Sequence, residues 1–211
     1  MKRTVGIGIQ SFDKIREGNY FYIDKTHFIK EWWESGADVT LITRPRRFGK
    51  SLNISMVHQF FSLEYKDRGD LFEGLAIGKD EKYRKLQGTY PVINLSFARI
   101  KEKDFEKTKT KIYEILRNEY IRFYYLRNSD SLIEADRETF DRILSKDMEE
   151  TDATSSLYQL SDFLYRYYGK KVIILLDEYD TPMQEAYVNG YDRLIQLCDE
   201  ISFPDGPAYF S

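Results

Sequence analysis

Apolar and polar positions along the chain fall into short β-rich runs separated by longer helical patterns. The most hydrophobic run is Lys171-Val172-Ile173-Ile174-Leu175-Leu176. It does not alternate, which predicts a strand covered on both faces, as in a parallel sheet. Val39-Thr40-Leu41-Ile42-Thr43 is a second run of the buried-strand kind, and Pro45 beyond it forbids continuation as a central strand. Tyr90-Pro91-Val92-Ile93-Asn94-Leu95-Ser96-Phe97 is a third, alternating towards its end, and Tyr20-Phe21-Tyr22-Ile23 is a short strand or extended run. A helix is predicted over residues 27–34, capped by Asp24 or Thr26 and ended by Gly36. Another starts at Lys50, with Leu52, Ile54, Val57, Phe60 and Phe61 on one broad apolar face. Residues 104–126 form a long helical pattern, with Ile112, Ile115, Leu116, Tyr120 and Phe123 at helical spacing. Further helices are predicted over 131–144, over 157–167 with Gly169 as the stop, and over 187–200. Residues 69–88 and 147–156 read as polar connections. Strands separated by helices predict an α/β fold, with a mainly parallel sheet flanked by helices and right-handed crossovers.

The composition narrows the function classes. With 42% hydrophobic and 32% charged residues in 211, the chain is a folded protein of one sizeable domain. The division predicted is an N-terminal segment, 1–38, packed on a core of 39–211. A net charge of −3 gives no general attraction to nucleic acid or anionic membrane. One cysteine, Cys198, excludes an internal disulfide, and two distant histidines, His27 and His58, leave no Cys/His zinc site. No segment approaches the roughly 20 apolar residues that span a bilayer, and no signal peptide is apparent. A cytoplasmic protein is predicted. The tyrosines around 120–125 read as core packing rather than as base-stacking platforms.

The chemistry concentrates in two places. Arg44-Pro45-Arg46-Arg47-Phe48-Gly49-Lys50-Ser51 lies between the run 39–43 and the helix entering Leu52. A phosphate-binding loop needs backbone N–H groups converging at a helix N-terminus, where the helix dipole also favours anions. Gly49 lets the main chain approach a phosphate, Lys50 can reach the β- and γ-phosphates, and the Ser51 hydroxyl can bind magnesium. The usual spacing would put a glycine where Arg44 stands, so the alternative reading is an ordinary turn with exposed arginines. The second place is Ile173-Ile174-Leu175-Leu176-Asp177-Glu178, an apolar strand ending in two acids. Asp177 can assist the metal and Glu178 can polarise an attacking water. Ligands of open α/β sheets gather at the carboxyl ends of strands, so the two motifs predict one P-loop crevice for a nucleotide and magnesium, ATP being what the resemblance below implies. Arg46 or Arg47 is a further candidate for phosphate contact, Asp180 for ordering the acidic turn, and Asn94 and Ser96 for bonding Glu178.

These residues also resemble a known family, the AAA-ATPase-like domain proteins of bacteria. The resemblance rests on Gly6-Ile7-Gly8-Ile9-Gln10-Ser11-Phe12, Tyr22-Ile23-Asp24-Lys25-Thr26, the loop from Arg44 to Ser51, Leu71-Phe72-Glu73-Gly74-Leu75, Tyr90-Pro91-Val92-Ile93 and Leu176-Asp177-Glu178-Tyr179-Asp180. Arg44 in place of glycine is this family's version of the loop. The resemblance implies an ATPase with Lys50 and Glu178 in catalysis, and a sheet whose strand after the acids carries a polar sensor. Many relatives carry a nuclease-like domain that this sequence lacks. After Asp180 the sequence offers a helix and a Pro- and Gly-containing tail, so the expectation is an incomplete sheet, lacking that strand and any arginine finger, the other reading being that the tail supplies a makeshift strand. A homo-oligomer or partner chain would then supply the missing contacts. Two alternatives to an ATPase follow: a nucleotide-binding regulatory module without turnover, and the ATPase part of a nuclease-linked nucleic-acid or defence system.

Overall fold

The computed structural model of the chain describes residues 4–43, 48–100, 102, 104–189 and 192–202. They form two compact units, Met1–Val92 and Ile93–Ser211.

The first unit is helical and held by aromatic rings. Its helices are α1 (Phe12–Glu17), α2 (His27–Ser35), α3 (Lys50–Phe61) and the single turns α4 (Ala76–Lys79) and α5 (Glu81–Arg84). Phe12 starts α1, is wholly buried, and stacks on Phe72 with ring centroids 5.1 Å apart. Its backbone N–H donates to Ser55 Oγ of α3 at 3.0 Å, which fixes α1 against the buried side of α3. Phe60 meets Phe72 edge-on at 5.0 Å, and Trp33 of α2 stacks on Phe61 at 5.4 Å. Such pairs add roughly 0.5–1.5 kcal/mol each beyond area burial. Gly36 ends α2 at φ +60, a left-handed conformation that glycine adopts without a Cβ penalty.

Two expectations are corrected here. Val39-Thr40-Leu41-Ile42-Thr43 is not a strand, and Val39 and Leu41 are exposed, Leu41 by 62%. A β-prone run becomes a strand only where a neighbour completes its ladder, and no described residue does so for this one. Residues 69–88 are not a plain loop. They hold a 3-10 turn, Gly69–Phe72, followed by α4 and α5, and Arg16 fastens the stretch from a distance. Its Nε donates to the Leu71 carbonyl and its Nη2 to that of Glu73, both at 2.7 Å.

The second unit is built on β1 (Val92–Ser96), which begins at the last residue of the first unit, and β2 (Ile173–Asp177). They form a parallel pair, with the Phe97 N–H reaching the Asp177 carbonyl at 2.9 Å. Among the described residues this pair is the whole sheet, so the multi-stranded sheet predicted from the sequence is not seen. The helices are α6 (Phe105–Arg122), α7 (Glu134–Leu144), α8 (Glu150–Tyr168), α9 (Asp180–Asn189) and α10 (Asp192–Ser202). α8 takes up much of the expected connection 147–156, and the single helix expected over 187–200 is two. The tail 203–211 lies outside the described residues.

Helix α6 starts at Asp104, whose carboxylate accepts from the Lys107 N–H at 2.9 Å. Its apolar side, with Ile112, Leu116 and Tyr120, is buried with Phe140 of α7 and Leu157, Leu160, Phe163 and Leu164 of α8. Tyr120 is core, as the sequence suggests, and its hydroxyl donates to the Ser156 carbonyl at 2.8 Å. The buried Glu119 is compensated: it accepts from the Asn94 N–H at 3.0 Å and pairs with Arg122.

Candidate nucleotide site

The turn entering α3 has the local geometry of an anion site. Gly49 is its N-cap at φ +77 and ψ 27, and its carbonyl accepts from the Asn53 N–H at 3.0 Å. An L side chain is strained in that conformation, so the position asks for glycine. A helix leaves its first N–H groups without intrahelical partners, and those of α3 belong to Lys50, Ser51 and Leu52. Gly49, the N-cap, has no side chain to cap them. Behind them, Asn53, Met56, Val57, Phe60 and Phe61 are buried, so the open end is carried on a fixed helix. Lys50, Ser51 and Leu52 are half-buried, whereas Phe48 is 61% exposed. Arg44, Pro45, Arg46 and Arg47 lie outside the described residues.

The sequence leaves two readings of Asp24-Lys25-Thr26, packing beside the nucleotide base or capping α2, and the segment does not cap α2. Thr26 precedes α2 in helical geometry and makes no side-chain cap bond. Both its N–H and its hydroxyl donate to Asp24 Oδ1, at 2.9 and 2.7 Å. Asp24 Oδ2 then accepts from the Ala76 N–H at 2.7 Å, and Thr26 Oγ1 from the Ile77 N–H at 3.2 Å. The two side chains therefore cap α4 rather than α2, tying residues some fifty positions apart. Lys25 sits between them, and a Cβ built on Gly49 would lie 3.6 Å from its Nζ.

Burial pushes the Asp24 carboxyl up, but the hydrogen bonds from Thr26 and Ala76 outweigh it and hold the group below the ordinary aspartate range. A depressed folded-state pKa gives stability that is present above the unfolded value, about 3.9, and is lost as pH falls through the folded one. Asp24→Asn lacks the second acceptor for Ala76. It should melt roughly 2–4 °C below wild type at pH 7, the shift that about 1 kcal/mol produces at this size. In melts taken at successively lower pH, the difference should shrink below pH ~4.

In the second unit, the run ending in acids behaves as a strand terminus should. Ile173 is buried, and Asp177, the last residue of β2, is only 9% exposed. Glu178 follows at φ +54. A non-glycine residue there costs on the order of 1–2 kcal/mol, and such positions cluster at functional sites. Thr181 holds the turn: its N–H donates to the Glu178 carbonyl at 3.0 Å and its hydroxyl to Glu178 Oε2 at 3.4 Å. Asn94 and Ser96 are the sequence's candidates for bonding Glu178. Those residues lie on the strand beside β2, as anticipated, but the Asn94 N–H goes to Glu119. The Asp180 carboxylate does not order the turn: it accepts from Gln184 Nε2 at 2.6 Å, within α9.

Lys50 and Ser51 thus belong to the first unit, and Asp177 and Glu178 to the second. Ser51 in the first unit and Asp177 in the second each offer an oxygen of the kind that magnesium takes. No group of three or more His, Cys, Asp or Glu among the described residues forms an all-protein metal cage. Nor is any described helix long and apolar enough to cross a membrane. Sequence reasoning missed two features: the nearness of Lys25 to Gly49, and the left-handed backbone of Glu178. The first had a signal, since Lys25 stands inside one of the motifs quoted above.

A helix opened by Gly49-Lys50-Ser51 and a strand closed by Asp177-Glu178 are elements that nucleotide-binding α/β proteins use. The family model described as "Predicted AAA-ATPase" matches residues 6–201, and the chain belongs to that family. Among curated proteins it is similar to an uncharacterized protein in the vnfD 5' region of Azotobacter chroococcum mcd 1, with 29% identity over 184 residues. That match covers 86% of this chain and 30% of the relative, so the chain spans about a third of the relative's length. No solved structure matches.

Proposed function

We propose that the chain binds ATP with magnesium at the turn Arg44-Pro45-Arg46-Arg47-Phe48-Gly49-Lys50-Ser51-Leu52, and that Asp177 and Glu178 serve the same nucleotide in its hydrolysis. The observation that carries this reading is the N-terminus of α3, whose N-cap is a left-handed Gly49 without a side chain, with Lys50 and Ser51 at the first two helical positions. The order of the motifs along the chain supports it, as does the family. In this account the N–H groups of Lys50, Ser51 and Leu52 bind phosphate oxygens, and the Lys50 ammonium neutralises the β- and γ-phosphates. Ser51 Oγ and an Asp177 oxygen hold magnesium, directly or through water. When bound, the metal offsets phosphate charge in the transition state. Glu178 orients the attacking water and accepts its proton. The left-handed backbone of Glu178 supports this reading, since such positions cluster at functional sites.

A titration with labelled ATP and GTP, with and without magnesium, tests the reading. Saturable binding of ATP that tightens when magnesium is added is the outcome required. Absence of binding to either nucleotide in the folded chain contradicts it.

A further inference from the structure

We propose that Lys25 is a second phosphate-binding cation of this site, its ammonium meeting the polyphosphate of the nucleotide beside Gly49. The inference rests on the nucleotide reading above and goes beyond it by assigning a residue outside the loop.

The local structure leaves Lys25 little else to do. Its two neighbours are consumed in architecture: both Asp24 oxygens accept hydrogen bonds, and the Thr26 hydroxyl donates to Asp24 while accepting from Ile77. Thr26 is wholly buried. The Lys25 backbone is held as well, its N–H on the Tyr22 hydroxyl at 3.4 Å and its carbonyl accepting from the Phe28 N–H at 3.0 Å. Burial pushes that Tyr22 hydroxyl up to about 12, so at neutral pH it is a neutral hydrogen-bonding group and not a counter-charge. The stem of Lys25 is half-buried, and among the described residues no carboxylate pairs with its ammonium. A fixed backbone with a free cation is how a ligand-facing lysine is built.

That cation lies beside the N-terminus of α3, a place suited to an anion. Its Nζ lies 3.6 Å from where a Cβ on Gly49 would stand, on the side of the turn that glycine leaves open. The first N–H groups of α3 begin one residue further on. A magnesium-bound triphosphate remains anionic, so Lys50 alone leaves charge for another cation to meet. A charge-assisted hydrogen bond there adds affinity at a point the helix dipole already favours.

The test is a charge series at position 25. ATP affinity is measured by titration for wild type, Lys25→Arg, Lys25→Gln and Lys25→Glu, with Lys50→Ala as the reference and a thermal melt for each. Affinity should follow charge: Lys25→Arg within about threefold of wild type, Lys25→Gln at least tenfold weaker, Lys25→Glu weaker still, with melts unchanged. A merely structural lysine would not produce that order. If Lys50→Ala loses ATP while the four proteins of the series bind alike, the Lys25 assignment is overturned and the nucleotide reading stands. If wild type and Lys50→Ala bind ATP equally, the nucleotide reading falls and takes the role of Lys25 with it.

Discussion

Lys50→Ala lowers the ATP affinity of this chain roughly 100-fold, which corresponds to about 2.8 kcal/mol, while its thermal unfolding stays that of wild type. The two halves of that prediction come from different observations. Lys50 is half-buried at the first position of α3, with the packing that holds the helix several residues further on, at Met56, Val57, Phe60 and Phe61. Removing its side chain therefore creates no cavity. In the proposed complex, by contrast, the ammonium would face phosphate oxygens, where charge-assisted hydrogen bonds are strong. Unchanged ATP affinity in a folded Lys50→Ala protein would remove this turn from the account.

The second large effect is on turnover. Glu178→Gln should reduce ATP hydrolysis by 10²–10⁴-fold, the usual range for removing a general base, with nucleotide affinity within about threefold of wild type. Glutamine keeps the length and the oxygen that accepts from Thr181, so the left-handed turn at φ +54 persists and only proton acceptance is lost. Phosphate release measured beside binding separates this from a module that binds nucleotide without turning it over. In that case wild type would already release phosphate at background, and Glu178→Gln would change nothing.

What could be read from the sequence was what local physics decides. The helix from Asp104, the stops at Gly36 and Gly169, and the strand before Asp177 all follow from periodicity, capping and left-handed glycine, and all stand in the structure. The left-handed glycine that opens α3 was legible because a phosphate turn would ask for a glycine, a lysine and a hydroxyl in consecutive positions. Features that depend on distant partners were hidden. Val39-Thr40-Leu41-Ile42-Thr43 has the composition of a strand, but a strand exists only with a neighbour to bond. The turns within 69–88 owe their shape to Arg16 and Asp24, whose bonds reach across fifty or more residues. The same separation disguised Asp24 and Thr26 as caps for the helix they adjoin. Glu178 is the sharpest case, because nothing in its identity announces a left-handed backbone. Such a conformation is held against local preference by bonds from Thr181, which the identity of Glu178 does not reveal.

The account depends on one nucleotide being served by both Ser51 and Asp177. The magnesium dependence of ATP affinity, measured in wild type and in Asp177→Asn, tests this most directly. Magnesium should tighten ATP binding in wild type, and Asp177→Asn should lose most of that gain while keeping its magnesium-free affinity. An equal magnesium effect in both folded proteins would show that Asp177 does not serve the nucleotide held at Gly49-Lys50-Ser51.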